Sequence, residues 1–215
     1  MKDFFRKGPL RVKICGVTNL EDAQAAVDAG ADAIGFNLFR GSKRYVDPAA
    51  LEKWITRLPD SVARVAVVVN TTAEELRLLR EKALFDAIQF HGDETPEFTA
   101  QEGGPLWVRA VRVDNPSALD RGLKYTTPYL LFDGFSAAEY GGTGIVPDWE
   151  AIATFRAGQP ERHTILAGGL TPENVAEAVR VVAPHAVDVA SGVEASTGKK
   201  DPDKVVRFIR EAKSG

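Results

Sequence analysis

The chain has one cysteine and three scattered histidines among its 215 residues. A lone thiol excludes an internal disulfide, and these residues show no zinc-type ligand spacing, so we expect a reducing cytoplasmic setting and no metal. Long apolar runs are absent too. Nothing approaches the roughly 18 consecutive apolar residues of a membrane span, and Met1 to Lys7 lacks the apolar stretch of a signal peptide. Charge of one sign is not in excess: 27 Lys and Arg stand against 30 Asp and Glu, a formal net charge of −3, with no block of like charge. That excludes a basic nucleic-acid face and a polybasic membrane anchor as expectations. No Pro/Ser linker or low-complexity tract divides the chain, so we expect one domain over residues 1–215.

What is present is a repeated pattern. Short Val-, Ile- and Ala-rich runs begin near Val12, Ala33, Arg64, Ala87, Leu106, Tyr129, His163 and Ala186. They recur about 20 to 35 residues apart, the length of a strand, a crossover helix and two loops. Capping signals mark several intervening helices. Asn19 opens one through Ala29, ended by Gly30; Asp47 and Pro48 open one through Leu58; Thr72 with Glu75 opens one to Lys82. Thr171-Pro172-Glu173 opens a helix to Val182, Asp201-Pro202 opens the last, and a weaker helix lies around Ser117 to Arg121. Eight such units predict a closed (β/α)8 TIM barrel; a doubly wound open sheet is the alternative.

Either fold places its ligand at the carboxyl ends of the strands, which directs attention to polar residues there. In Val12-Lys13-Ile14-Cys15, strand alternation sends Val12 and Ile14 towards helices, and Lys13 and Cys15 into the barrel. Gln89 and His91 share a face in the same way, and Asp133 ends the sixth run. Asp188, on the eighth strand, falls beside Lys13 if the sheet closes, so the two opposite charges are expected to pair. Gly168-Gly169 after the seventh run and Ser191-Gly192 after the eighth supply the backbone amides of an anion cradle, at the usual phosphate position of these barrels. Gly141-Gly142-Thr143-Gly144 forms a third glycine loop able to close over a ligand, while Arg40, Lys43 and Arg44 lie in the loop after the second strand.

Together these pieces resemble the phosphoribosylanthranilate isomerases of tryptophan biosynthesis. The matching segments are VKICGVTNLEDA at 12–23, ADAIGF at 31–36, SKRYV at 42–46, QFHGDE at 89–94 and LFD at 131–133. YGGTG at 140–144, LAGGLTPENV at 166–175 and DVASGVEASTGKKD at 188–201 complete the match, in order along the whole chain. Departures are Asn37, where an apolar residue is common, and Ile145-Val146-Pro147, where a basic residue and Phe are usual. The resemblance implies an Amadori rearrangement of N-(5-phosphoribosyl)anthranilate without cofactor or metal. It implies Cys15 as general base and Asp133 as general acid, with Arg44 holding the anthranilate. Gly142, Gly168, Gly169, Ser191 and Gly192 would bind the rest of the substrate, with the phosphate on the amides around Gly169, Ser191 and Gly192. The implied partner is a phosphorylated small molecule, the assembly a monomer or homodimer. The related histidine-pathway isomerase, which uses two carboxylates, and a non-catalytic phosphate-binding barrel are the competing readings; Cys15 argues against the first, and Cys15 with Asp133 against the second.

Overall fold

The computed structural model describes residues 2–6, 8–134 and 146–215. Eight parallel strands close into a barrel in sequence order: β1 Arg11–Cys15, β2 Ala33–Asn37, β3 Ala63–Val68, β4 Ala87–Phe90, β5 Trp107–Val113, β6 Tyr129–Gly134, β7 His163–Leu166 and β8 Ala186–Val189. Each starts within one residue of the position expected from the apolar runs. Closure is made by β1 against β8, with Lys13 in register with Asp188. The helices are α1 Leu20–Asp28, α2 Pro48–Glu52, α3 Ala73–Glu81, α4 Pro96–Glu102, α5 Leu119–Gly122, α6 Trp149–Gly158, α7 Val175–Val182 and α8 Pro202–Ser214. A two-stranded hairpin, β9 Glu194–Ser196 with β10 Lys199–Lys200, precedes α8. Among the described residues, no helix is long and apolar enough to cross a membrane.

Caps behave as the sequence predicts at four helices, Asp47 accepting from the Ala49 N–H at the start of α2. Asn19 accepts from the Asp22 N–H, Thr72 and Glu75 form a reciprocal capping box, and Asp201 accepts from Asp203 and Lys204 ahead of Pro202. Two expectations are corrected. The helix opened by Pro48 stops at Glu52, and a separate 3-10 turn follows at Ile55–Arg57. Trp54, at φ −141°, has left helical backbone, and its ring packs edge-on against Phe36 at 5.8 Å. Likewise α7 begins at Val175 rather than Thr171. There the Asn174 side chain accepts from the Thr171 N–H at 2.8 Å and donates to the Gly169 carbonyl at 2.9 Å, making the Thr171-Pro172-Glu173 segment part of the loop. The weaker fifth helix is one turn, Leu119–Gly122, after a 3-10 turn at Pro116–Ala118.

The alternation of each strand divides the core in two. Val12, Ile14, Ile34, Phe36, Leu130 and Phe132 belong to the layer between sheet and helices. Ala33, Ala63, Val65, Ala87, Val108, Ala110, Tyr129, Leu131, Ile165 and Ala186 fill the barrel interior. Phe4 and Phe5 join this inner cluster, and the Phe5 carbonyl accepts from the Tyr129 hydroxyl at 3.1 Å. Tyr129 starts β6, so the amino-terminal segment plugs the end of the barrel opposite the expected site. The outcome is a mouth at the strand carboxyl ends and a filled base.

Candidate active site

One pocket at that mouth brings together Cys15 from the end of β1, Arg44 from the loop after β2, His91 after β4, Asp133 on β6 and Asp188 on β8. Gly168 and Gly169, after β7, and Ser191 and Gly192, after β8, form another wall. Every described residue expected at the site therefore lines one cavity. Gly142, with the rest of its glycine loop and Ile145, lies outside the described residues. Lys43 and Arg40 do not line this cavity; the Arg40 guanidinium lies over the Tyr45 ring at 5.3 Å, beside a separate hollow. Among the described residues, no group of three His, Cys, Asp or Glu is placed to hold a metal ion.

The glycine wall is shaped by backbone demands. Gly168 and Gly169 have φ of +85° and +62°, successive left-handed positions that cost an L side chain about 1 kcal/mol each. At Gly192 the constraint is space: a Cβ there would lie 1.9 Å from the Leu170 carbonyl oxygen. The two loops thus meet backbone to backbone, and Ser191–Val193 forms a 3-10 turn beside the Gly168–Gly169 bend. Convergent backbone dipoles of this kind suit an anion.

On the Asp133 side of the pocket, Gln89 and His91 line up behind the carboxylate. Asp133 is 5 % exposed, with Oδ2 3.2 Å from His91 Nε2. The Gln89 amide meets His91 Nδ1 at 3.0 Å. With Gln89 donating, Nδ1 is an acceptor and Nε2 carries the proton facing the carboxylate. Strand parity had put Gln89 and His91 on one face but gave neither a role; only closure of the barrel brings that face against Asp133.

The Cys15 side is dominated by charge. Lys13, 1 % exposed, donates to Asp188 Oδ1 at 2.9 Å, as closure of the sheet required. Burial pushes the Lys13 ammonium towards deprotonation, but Asp188 and Cys15 outweigh it and its pKa is raised. Burial pushes the Cys15 thiol up, Asp188 adds to that, and Lys13 and Lys200 oppose it; the net direction is upward.

Sequence reasoning missed Glu194, which holds Arg44 beside the pocket, and Lys200, which pairs with it. Arg44 Nε and Nη2 donate to the two Glu194 oxygens at 2.7 and 2.8 Å, a bidentate pair, and its stem crosses Gly16 so closely that a Cβ there would sit 2.5 Å from Cδ. Buried Lys200 donates to Glu194 Oε1 at 3.2 Å and to the Ala190 carbonyl at 2.9 Å. Burial pushes the Glu194 carboxyl up, but the Arg44 hydrogen bonds and the Lys200 charge outweigh it, leaving it below the usual range. The hairpin that carries both is fastened to the β1 side: Asp22 Oδ2 accepts from the Lys200 N–H at 2.8 Å, and the Gly198 carbonyl accepts from Thr18 at 2.8 Å. The adjacent Lys199 is exposed, and nothing in two consecutive lysines tells which one turns inward.

With this geometry in place, the family is decided by a model of N-(5'-phosphoribosyl)anthranilate isomerase that matches residues 12–211. The chain belongs to that family. A phosphoribosylanthranilate isomerase of Neisseria meningitidis is 47% identical over 205 residues, covering 94% of this chain and 96% of its own. That of Thermotoga maritima is 43% identical over 205 residues, covering 95% and 98%. A crystal structure of the isomerase from Thermotoga maritima superposes with a TM-score of 0.88 at 40% identity, covering 96% of this chain and all of that one. A further isomerase structure, in complex with reduced 1-(o-carboxyphenylamino)-1-deoxyribulose 5-phosphate, gives a TM-score of 0.84 at 40% identity, again covering 96% of this chain and all of its own. The match includes both glycine loops and the Cys15 strand.

Proposed function

We propose that this chain is the isomerase of tryptophan biosynthesis that converts N-(5'-phosphoribosyl)anthranilate to 1-(2-carboxyphenylamino)-1-deoxyribulose 5-phosphate, with Cys15 as general base and Asp133 as general acid. The observation that carries the reading is their placement: β1 and β6 stand three positions apart around the ring, and both residues face one pocket. The reaction needs that separation. Asp133 protonates the furanose ring oxygen, the C1–O bond breaks and an imine forms. Cys15 as thiolate removes the proton from C2, the electron pair moves through C1 to the imine nitrogen, and the resulting enolamine tautomerises to the ketone. The His91 Nε2 proton steadies the carboxylate that Asp133 becomes.

The remaining groups bind. Arg44, held bidentate by Glu194, presents positive charge to the anthranilate carboxylate, while the amides around Gly169, Ser191 and Gly192 receive the phosphate. Gly142 belongs to the loop that closes over the substrate. No cofactor or metal enters this scheme. The cysteine separates the reading from the two-carboxylate histidine-pathway isomerase. The chain works as one domain in the cytoplasm, where a free thiol stays reduced. A monomer or a homodimer suits it; the isomerase of Thermotoga maritima is described as dimeric, and a crystal structure of monomers generated from it is among the similar structures.

The test is turnover of the phosphoribosylated anthranilate by purified protein, followed as loss of substrate fluorescence, beside the histidine-pathway substrate. Turnover of the first is expected, with Cys15→Ser and Asp133→Asn each at least about a hundredfold slower and folded. Near-normal turnover in either variant removes that residue from the mechanism, and turnover of the second substrate alone overturns the assignment.

A further inference from the structure

We propose that Lys13 is a positioning residue that favours the thiolate form of Cys15 against burial and Asp188, and that the absent side chain of Gly35 leaves the gap that its ammonium and the sulfur share. The inference deepens the isomerase reading and rests on Cys15 being the base. Gly35, on β2, is in register with Cys15 on β1. A Cβ built on Gly35 would lie 2.7 Å from Cys15 Sγ, 3.0 Å from Lys13 Cε and 3.0 Å from Lys13 Nζ. Sulfur and ammonium therefore border the same small gap. Gly35 does not have the positive φ that would demand glycine, so space accounts for the residue.

Lys13 has a partner in Asp188 already, and a structural ion pair would need nothing more. Yet its ammonium also borders the Gly35 gap that the Cys15 sulfur borders, so it stands near both an anion and the reacting sulfur. The two neighbours act on the thiol in opposite directions: Asp188 disfavours the thiolate and Lys13 favours it. Lys200, from β10, adds a second favourable charge; Arg44 lies across Gly16 beside the sulfur, and Asp133 and His91 line the same pocket from β6 and the end of β4. Asp188 thereby sets how much of the Lys13 charge is left for the sulfur. A lysine that merely filled the barrel would have no such antagonist.

The opposition supplies the test. Cys15 is the only cysteine, so iodoacetamide modification of the whole chain reports on this thiol alone. The alkylation rate is followed against pH for the native protein, Lys13→Met and Asp188→Asn. Lys13→Met removes the favourable cation and is expected to move the midpoint up by about one pH unit or more, with about tenfold less thiolate at neutral pH. Asp188→Asn keeps a hydrogen-bond acceptor but removes the antagonistic charge, so its midpoint moves down. The acid limb of kcat/KM is expected to follow each midpoint, and high pH to restore part of the Lys13→Met turnover. Should Lys13→Met fail to fold, Lys13→Gln, which keeps a polar contact to Asp188 but not the charge, is expected to show the same upward shift. Unmoved midpoints, or an upward shift in both variants, would overturn the proposal. Because alkylation does not depend on turnover, a fully active Cys15→Ser protein refutes the base assignment separately.

Discussion

Gly192→Ala perturbs the glycine wall by a single methyl group whose neighbours are fixed backbone. The new Cβ would stand 1.9 Å from the Leu170 carbonyl oxygen, 3.0 Å from the Leu170 carbonyl carbon and 3.3 Å from Thr171 Cα. None of these is the tip of a flexible side chain, so relief requires the loops after β7 and β8 to part by about 1 Å. Leu170 directly follows Gly169, and Gly192 follows Ser191, so the separation falls on the amides assigned to the phosphate. Overpacking of this size costs about 1–3 kcal/mol of stability, which the barrel survives. Its effect on reactivity is larger, since a misplacement of about 1 Å costs on the order of a hundredfold. We expect kcat/KM to fall by about that factor, and the inhibition constant of inorganic phosphate to rise at least about tenfold. Steady-state kinetics with thermal unfolding measure both effects. Gly158→Ala, at the end of α6 where a Cβ meets nothing within 4 Å, is the matched control and should leave both unchanged. An unaltered phosphate constant in Gly192→Ala, with only a lowered melting temperature, would refute the phosphate assignment.

Arg44→Ala is expected to raise KM more than it lowers kcat, since the guanidinium binds a part of the substrate that does not react; an unchanged KM would leave it the structural partner of Glu194 alone. Removing either Lys13 or Asp188 leaves a buried charge uncompensated and should cost about 3–5 kcal/mol in denaturant unfolding, whereas replacing both with matched apolar residues should cost far less. Additive losses in that double-mutant cycle would show two independent charges rather than a pair.

The barrel was legible because its strands are short, buried on both sides and separated by lengths that each fit one crossover helix. The inward turn of Lys13 and its meeting with Asp188 followed from period-two alternation and closure alone. Helix ends were less so. The tripeptide Thr-Pro-Glu occurs twice: at 95–97 it opens α4, with Thr95 accepting from the Phe98 N–H, and at 171–173 it opens no helix at once. Local sequence does not separate the two, because the difference lies in Asn174, whose side chain bonds back to the loop. Phe4 and Phe5 gave no local signal at all: their place in the barrel base depends on Tyr129, more than a hundred residues away. The same distance hid Glu194 as the holder of Arg44.

What alternation cannot say is which inward residues are costly for a reason. Near the strand starts the interior is filled by Ala33, Ala63, Ala87, Val108 and Ala186, which need no partner, and by Tyr129, whose hydroxyl has one in the Phe5 carbonyl. Towards the carboxyl ends it holds Lys13, Cys15, Gln89, His91, Asp133 and Asp188. Buried charges add little net stability over apolar residues of equal volume, so stability alone does not account for placing several of them in one half of one interior. The proposed chemistry would: in it, each of these residues carries, steadies or opposes a charge that a proton transfer must create. The barrel therefore separates its tasks along its axis. Substitutions at the base should be felt in unfolding, and those at the mouth in turnover, with Lys13 and Asp188, midway between, felt in both.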